Sequence, residues 1–534
     1  MSGGCSHKTI DKVPIRCIFK RIFLIDQDYK EDVLNIKYIS NIKVLISVFL
    51  VVPSSGASLK ENIAKISKSK RSMDSKRERS NSISILMLPW LAHGHISPFL
   101  DLAKKLSLRN CHVYFCSTPI NLKPVRESLI DKTFSSIQPV DLHLPYLEEL
   151  PPQYHTTKDL PPHLMSSLKT AFDSAKPKFS NILKALKPNL LIYDFMQPWA
   201  PVAAREENIE AVMLSTCGAA ASSLMAFYSN NPGKEFPFQA LNFPQDECEK
   251  SMHFLHYTAN GITNKERYMQ CIERSSNIIL IKTSREIESQ YIDYLSGLVG
   301  KEIVPVGPLV QEPAKNRDDD MVIVEWLNKK DPSSVVFVSF GSEYFLSLAE
   351  MEEIARGLEL SKVSFIWVVR FHGGDKISIH EALPEGFLER IREKGMVVEG
   401  WAPQAKILGH SSIGGFMSHC GWSSTLEVMV FGVPIIAIPM RLDQPLNAKL
   451  VVEVGVGVEV SRENEKLKAE EVAKAIKKVV MQEEGKEVRK KAKELSQRMK
   501  DKDDGEMDVV VEKLVQLLGE SRISTTFEEY KNNL

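Results

Sequence analysis

The chain has 534 residues, long enough for two or more domains with large cores. Its 68 basic and 68 acidic residues give a formal net charge of zero, which favours neither nucleic acid nor an anionic membrane surface as a partner. The eight cysteines are scattered with no CxxC pair or zinc spacing, so reduced buried thiols are expected rather than a disulfide framework.

Residues 1–82 read as a leader outside the main fold. Lys60–Arg79 is rich in Lys, Arg and Ser and stays solvated. The longest early apolar run, Val44–Val52, is interrupted by Ser47 and too short to cross a bilayer, so no integral membrane segment is expected. A signal peptide reads poorly because no basic region leads directly into that run.

Ile83–Leu88 is a continuous apolar run, as in a parallel strand buried on both faces. It feeds the loop Pro89–His95, then a helix over Pro98–Leu108 and a strand over His112–Cys116. This unit sets His95 at a strand's carboxyl end, where open α/β sheets bind ligands. His93 reads as surface. The two histidines with no nearby carboxylate make a weak metal pair. Phe172–Leu186 reads as a helix and Asn189–Tyr193 as a strand that ends at Asp194. A carboxylate there could orient an imidazole, though an Asp in that place is as often a helix cap. Cys217–Leu298 is mostly helical and loop-rich, broken by Pro232, Pro237 and Pro244. Ile278–Lys282 and Ile303–Val306 close a first domain spanning 83–310.

Residues 311–325 form the linker. Asp318-Asp319-Asp320 invites a metal reading, but the acids precede a helix at Val322–Leu327, where they suit its positive end, so no metal site is assigned. The second domain spans 326–505. It carries strands at Ser334–Phe340, Ser364–Arg370 and Met396–Glu399, with the turn Gly341-Ser342 leading to a helix at Leu348–Leu360. Gly455-Val456-Gly457 is too short for a dinucleotide fingerprint, which disfavours a nicotinamide dehydrogenase. Glu470–Val480 and Glu484–Met499 are amphipathic helices. A last apolar helix, 506–520, crosses back to the first domain, and a polar tail, 521–534, frays.

The most informative stretch is Trp401–Gln444, WAPQAKILGHSSIGGFMSHCGWSSTLEVMVFGVPIIAIPMRLDQ. Trp401 offers a flat face for a base and precedes a short helix. A strand then ends at His419, turns at Cys420-Gly421 and enters a helix near Ser423. Ser423, Ser424 and Thr425 would present hydroxyls and free N–H groups at that helix's positive end, a ready anion site. Glu427, one turn on, could accept from sugar hydroxyls. Asp443 and Gln444 follow the strand Val433–Pro439 at its ligand-binding end.

This stretch resembles, almost position for position, the sugar-nucleotide signature of plant family-1 UDP-glycosyltransferases. Ser423 stands where many members carry Asn. The resemblance covers about residues 82–520 and implies an α/β fold of two Rossmann-like domains facing across a cleft, the GT-B architecture. Members begin shortly before their first strand, so Met73 looks like a natural start. The segment before it then reads as a gene-model extension or disordered leader, with a targeting peptide as the rival.

By the resemblance, His95 is the catalytic base and Asp194 its partner. Trp401 and Ala402 hold uracil, Gln404 and Glu427 the ribose. Ser342, His419, Gly421, Ser423 and Ser424 meet the diphosphate, and Trp422, Asp443 and Gln444 the hexose. The implied activity is inverting, metal-independent transfer of glucose from UDP-glucose, with no further cofactor. The implied acceptor is a small-molecule plant glycoside, since the chain is most similar to the branch that extends sugars already present on natural products. An aglycone acceptor, another UDP-sugar or an inactive UDP-sugar-binding protein are the alternatives. A cytoplasmic monomer is expected.

Overall fold

In the computed structural model the described residues run from Ile83 to Asn532, apart from 131, 232, 244–252, 311–317, 343 and 372–376. The leader, Met73 and most of the linker lie outside them, as do the side chains of Asp318–Asp320 and of the tail beyond Gly519.

The apolar runs become two parallel sheets. In the first, β1 (Ile83–Leu88), β2 (Cys111–Ser117), β3 (Ile137–Asp141), β4 (Leu190–Asp194), β5 (Glu210–Ser215), β6 (Ile278–Ile281) and β7 (Glu302–Pro305) stand in the order β3-β2-β1-β4-β5-β6-β7. In the second, β8 (Val335–Ser339), β9 (Ser364–Val369), β10 (Gly395–Glu399), β11 (Ile413–Ser418), β12 (Ile435–Ala437) and β13 (Gly457–Glu459) stand in the order β10-β9-β8-β11-β12-β13. Every pairing within both sheets is parallel. Helices cover both faces, so strands such as Ile85–Leu88 and Val335–Val338 are almost wholly buried. Each sheet reverses its strand order at one place, between β1 and β4 and between β8 and β11. Such a switch point opens a crevice at the carboxyl ends of the strands.

The helices that matter for the site are α1 (His93–Ser107), α2 (Ala219–Asn230), α3 (Arg285–Val299), α4 (Gln404–Leu408), α5 (Trp422–Phe431), α6 (Gln444–Val454) and α7 (Glu484–Asn532). Polar contacts join the two domains. Trp422 Nε1 donates to Lys282 O at 2.6 Å, and Tyr291 Oη donates to Glu453 at 2.6 Å. The last helix adds Met507, Val510, Leu514 and Leu517 to the core beneath β1, β2 and β4.

Several boundaries differ from the sequence reading. Helix α1 starts at His93 rather than Pro98, because Ala92 O accepts from both His95 N and Ile96 N and builds a turn ahead of the proline. His95 therefore sits in the first helical turn, not in a loop. The helix expected over Phe172–Leu186 is two, Met165–Asp173 and Lys176–Leu186, because Pro177 opens the second. The sequence reading missed β3 and β5. The terminal helices and the fraying tail are one run of helix, Glu484–Asn532, since the polar segment around Gly505 contains no proline to end it.

Candidate active site

At the first switch point, β1 delivers His95 and β4 delivers Asp194. His95 Nδ1 lies 2.8 Å from Asp194 Oδ2, with the imidazole 20% exposed and the carboxylate fully buried. An ionised carboxylate only accepts, so Nδ1 carries the proton and Nε2 the lone pair. Thr216 Oγ1, one residue past β5, lies 3.1 Å from the same Nδ1, and the Phe195 ring packs against the imidazole at 5.3 Å. With its amide oriented to satisfy both neighbours, Gln197 donates to Asp194 O and accepts from Trp90 N, tying the ends of β4 and β1 together.

At the second switch point the chain turns sharply after β11. Cys420 takes a left-handed φ of 62°, and Asn447 Nδ2 donates to its carbonyl at 3.0 Å. The turn brings His419 between two glycines. A Cβ on Gly341 would lie 2.6 Å from His419 Cε1, and one on Gly421 would lie 2.6 Å from Nε2. Gly341, with φ of 78°, carries exposed Ser342 to the same corner. His419 Nδ1 is a buried nitrogen with no hydrogen-bond partner among the described residues. Burial pulls its pKa down to about 4, so the ring is neutral near pH 7.

Helix α5 begins at Trp422, capped by Gly421 with no side-chain cap, so its first-turn N–H groups are directed at this corner. Gln404 Nε2 donates to Glu427 Oε2 at 2.5 Å and to Ser424 Oγ at 3.4 Å, linking α4 to the first turns of α5. Burial raises the Glu427 pKa. Trp401 is 64% exposed, with the Arg370 guanidinium 5.3 Å from its ring centre, while Ala402 is buried beside it. Such an open indole face can take a planar ring.

Asp443 immediately precedes α6, and its carboxylate accepts from Asn447 Nδ2 at 3.1 Å. Burial raises its pKa, and His95 lies close enough across the cleft to act on it electrostatically. The two ends of the Gln444 side chain are differently engaged. Its Oε1 accepts from Met440 N at 3.0 Å and Arg441 N at 2.9 Å, so the carbonyl braces its own loop and leaves the amide as the group able to reach a ligand. The Trp422 indole likewise serves the domain junction, which leaves its backbone for any ligand. Ala221, Leu224, Met225, Phe243, Phe254, Leu442 and Leu446 line a small apolar recess together with Asp443. Among the described residues no group of three or more His, Cys, Asp or Glu side chains gathers as a metal site, and no helix is long and apolar enough to cross a membrane.

Two site residues were not singled out in the sequence. Thr216 follows β5, whose run Ala211-Val212-Met213-Leu214 was the available signal. Lys282 ends the strand read as Ile278–Lys282, yet nothing in the sequence marks it as buried.

Two family models match the chain: a glycosyltransferase N-terminal domain over residues 81–311, and the UDP-glucoronosyl and UDP-glucosyl transferase family over residues 299–512. The chain is 53% identical over 454 residues to flavanone 7-O-glucoside 2''-O-beta-L-rhamnosyltransferase of Citrus maxima, covering 84% of this chain and 100% of that protein. It is 48% identical over 449 residues to beta-D-glucosyl crocetin beta-1,6-glucosyltransferase of Gardenia jasminoides, covering 82% of this chain and 100% of that one. In fold it is similar to Glycyrrhiza uralensis UGT73P12 complexed with glycyrrhetinic acid 3-O-monoglucuronide, with a TM-score of 0.73 at 24% identity, over 85% of this chain and 99% of that one. The fold is therefore GT-B. The chain belongs to the UDP-glycosyltransferase family, on the side of it that includes plant enzymes of natural-product glycosides.

Proposed function

We propose that the chain transfers glucose from UDP-glucose, with inversion, to a sugar hydroxyl of a plant natural-product glycoside. The observation that carries this reading is the His95–Asp194 pair, held at 2.8 Å opposite Asp443. His95 Nε2 takes the proton of the acceptor hydroxyl as its oxygen attacks the anomeric carbon. Asp194 holds the ring in the required tautomer and balances the imidazolium that forms. The anomeric bond to the diphosphate breaks on the opposite face, and its electron pair goes to the diphosphate. That charge is met by Ser342, His419, Ser424 and the N–H groups opening α5. Trp401 and Ala402 seat the uracil, Gln404 and Glu427 the ribose, and Asp443 with the Gln444 amide the hexose. This route uses no metal ion. The reaction takes place in the cytoplasm, with the chain acting as a monomer.

The glycoside acceptor is supported by the relatives, both of which are named for acting on a glucoside. We place the aglycone of such a compound against the apolar side chains beside Asp443, which must part to admit it. A second reading, a deoxysugar donor, is favoured by the 53% identity to a rhamnosyltransferase. The test is UDP release by the full chain given UDP-glucose or UDP-rhamnose, with each aglycone offered beside its monoglucoside and products weighed by mass spectrometry. Turnover of UDP-glucose on monoglucosides is the expected result. Turnover on aglycones alone would overturn the acceptor, and turnover with UDP-rhamnose alone the donor.

A further inference from the structure

Lys282 follows β6 and is only 2% exposed, enclosed where the two domains meet. Its Nζ donates to Ser423 Oγ at 2.8 Å, and its carbonyl accepts from the Trp422 indole at 2.6 Å. Both ends of one residue of the first domain thus grip the first turn of α5 in the second.

The carbonyl contact alone suffices as a domain tie; the ammonium is the part that needs a reason. An ammonium has three donors, and Ser423 is the hydrogen-bond partner that Nζ has among the described residues. Asp101 of α1 and Glu427 of α5 act on it electrostatically, and the Glu427 carboxylate is engaged by Gln404. Burial pushes the pKa of Lys282 down to about 8 and that of Asp101 up to about 7, so the surrounding charges offset the burial of each only in part. A buried cation seated on a hydroxyl would be replaced at little cost by an apolar side chain if bridging were its whole task.

We propose that Lys282 is the first domain's ligand for the nucleoside diphosphate, its ammonium donating to the phosphate that Ser423 also contacts. This rests on the donor site proposed above. The cation lies beside the leaving group, where negative charge grows as the anomeric bond breaks, and it couples closure of the cleft to occupancy of the anion site.

Titration calorimetry of the full chain with UDP and with uridine tests this. In the wild-type protein UDP binds more tightly than uridine. Lys282→Met should weaken UDP by about ten- to a hundredfold and leave uridine unchanged. Lys282→Gln, which keeps a donor for Ser423 and decides the matter if the Met variant fails to fold, should do the same. A merely structural bridge would move both ligands together, or in the Gln variant neither. Variants that keep the wild-type preference for UDP would overturn the role of Lys282 alone. A wild-type protein that does not prefer UDP would overturn the donor site itself.

Discussion

Asp194 is completely buried, yet its carboxylate reaches the partly exposed ring of His95 at 2.8 Å. The asymmetry suits a general base: the carboxylate is shielded from water, and the imidazole stays accessible. His95→Ala should lower kcat by about 10²- to 10⁴-fold with UDP affinity unchanged by calorimetry. Asp194→Asn should do nearly as much, because an amide N–H facing Nδ1 moves the ring proton to Nε2 and abolishes the base. Loss of UDP binding in either variant would mean the pair holds the fold rather than the reaction.

Gly341 combines a φ of 78° with a forbidden Cβ position 2.6 Å from the His419 ring. Gly341→Ala should therefore displace His419, weaken UDP binding about tenfold and cost about 1–3 kcal/mol of stability. Gly297→Ala in α3 is the control. Nothing lies within 4 Å of its Cβ position, and it should be neutral or stabilising. Equal melting temperatures for the Gly341 variant and the wild type would show that the ring gives way freely.

The pH dependence of His419 has a definite sign. Its folded pKa, about 4, lies below the ordinary 6.5. As pH falls, the unfolded chain takes the proton first, so stability is lost between pH 6.5 and 4. His419→Gln removes this term. Urea denaturation at pH 7, 6 and 5 should show the variant gaining on the wild type by up to about 1.4 kcal/mol for each pH unit inside that window. A difference between the two proteins that does not change with pH would show that the ring is not held neutral.

How far the site could be read in advance depended on how local its parts are. Trp401, Gln404, His419, Ser424, Glu427 and Asp443 fall within one short segment, so the local pattern and the family resemblance it carries were enough to group them. The unbroken apolar runs marked most strands of both sheets. Thr216 and Lys282 could not be found that way. Their places come from β5 lying beside β4, and β6 beside β5, in the folded order, a tertiary fact that the apolar runs do not carry. At Gln444 the side-chain orientation has no mark in the sequence: its carbonyl turns inward to accept from Met440 N and Arg441 N.

That inward turn makes a prediction of its own. Gln444 Oε1 accepts from Met440 N and Arg441 N. Gln444→Ala should leave those donors without a partner, costing about 1–3 kcal/mol in the empty protein and raising the KM for UDP-glucose. Gln444→His should erode glucose transfer. If Gln444 served only as a sugar contact, KM would rise with no change in melting temperature, and the two readouts together separate the roles.

The apolar recess beside Asp443 is where the proposed acceptor site can be tested apart from the donor site. Ala221, Leu224 and Met225 come from α2 of the first domain, while Leu446 comes from α6 of the second. A ligand there would touch both domains and Asp443, but none of the residues proposed to hold the uracil, ribose or diphosphate. Ala221 is 2% exposed at its wall, so Ala221→Leu adds bulk where an aglycone would lie. The KM for glycosides with large aglycones should rise about tenfold, consistent with losing one or two well-packed apolar contacts. UDP affinity and the slow hydrolysis of the UDP-sugar by water should stay at wild-type levels, because neither needs the recess. Small glycosides should be affected least. If the variant treats large and small acceptors alike, the recess is not where the aglycone binds, and the acceptor must approach His95 from another side.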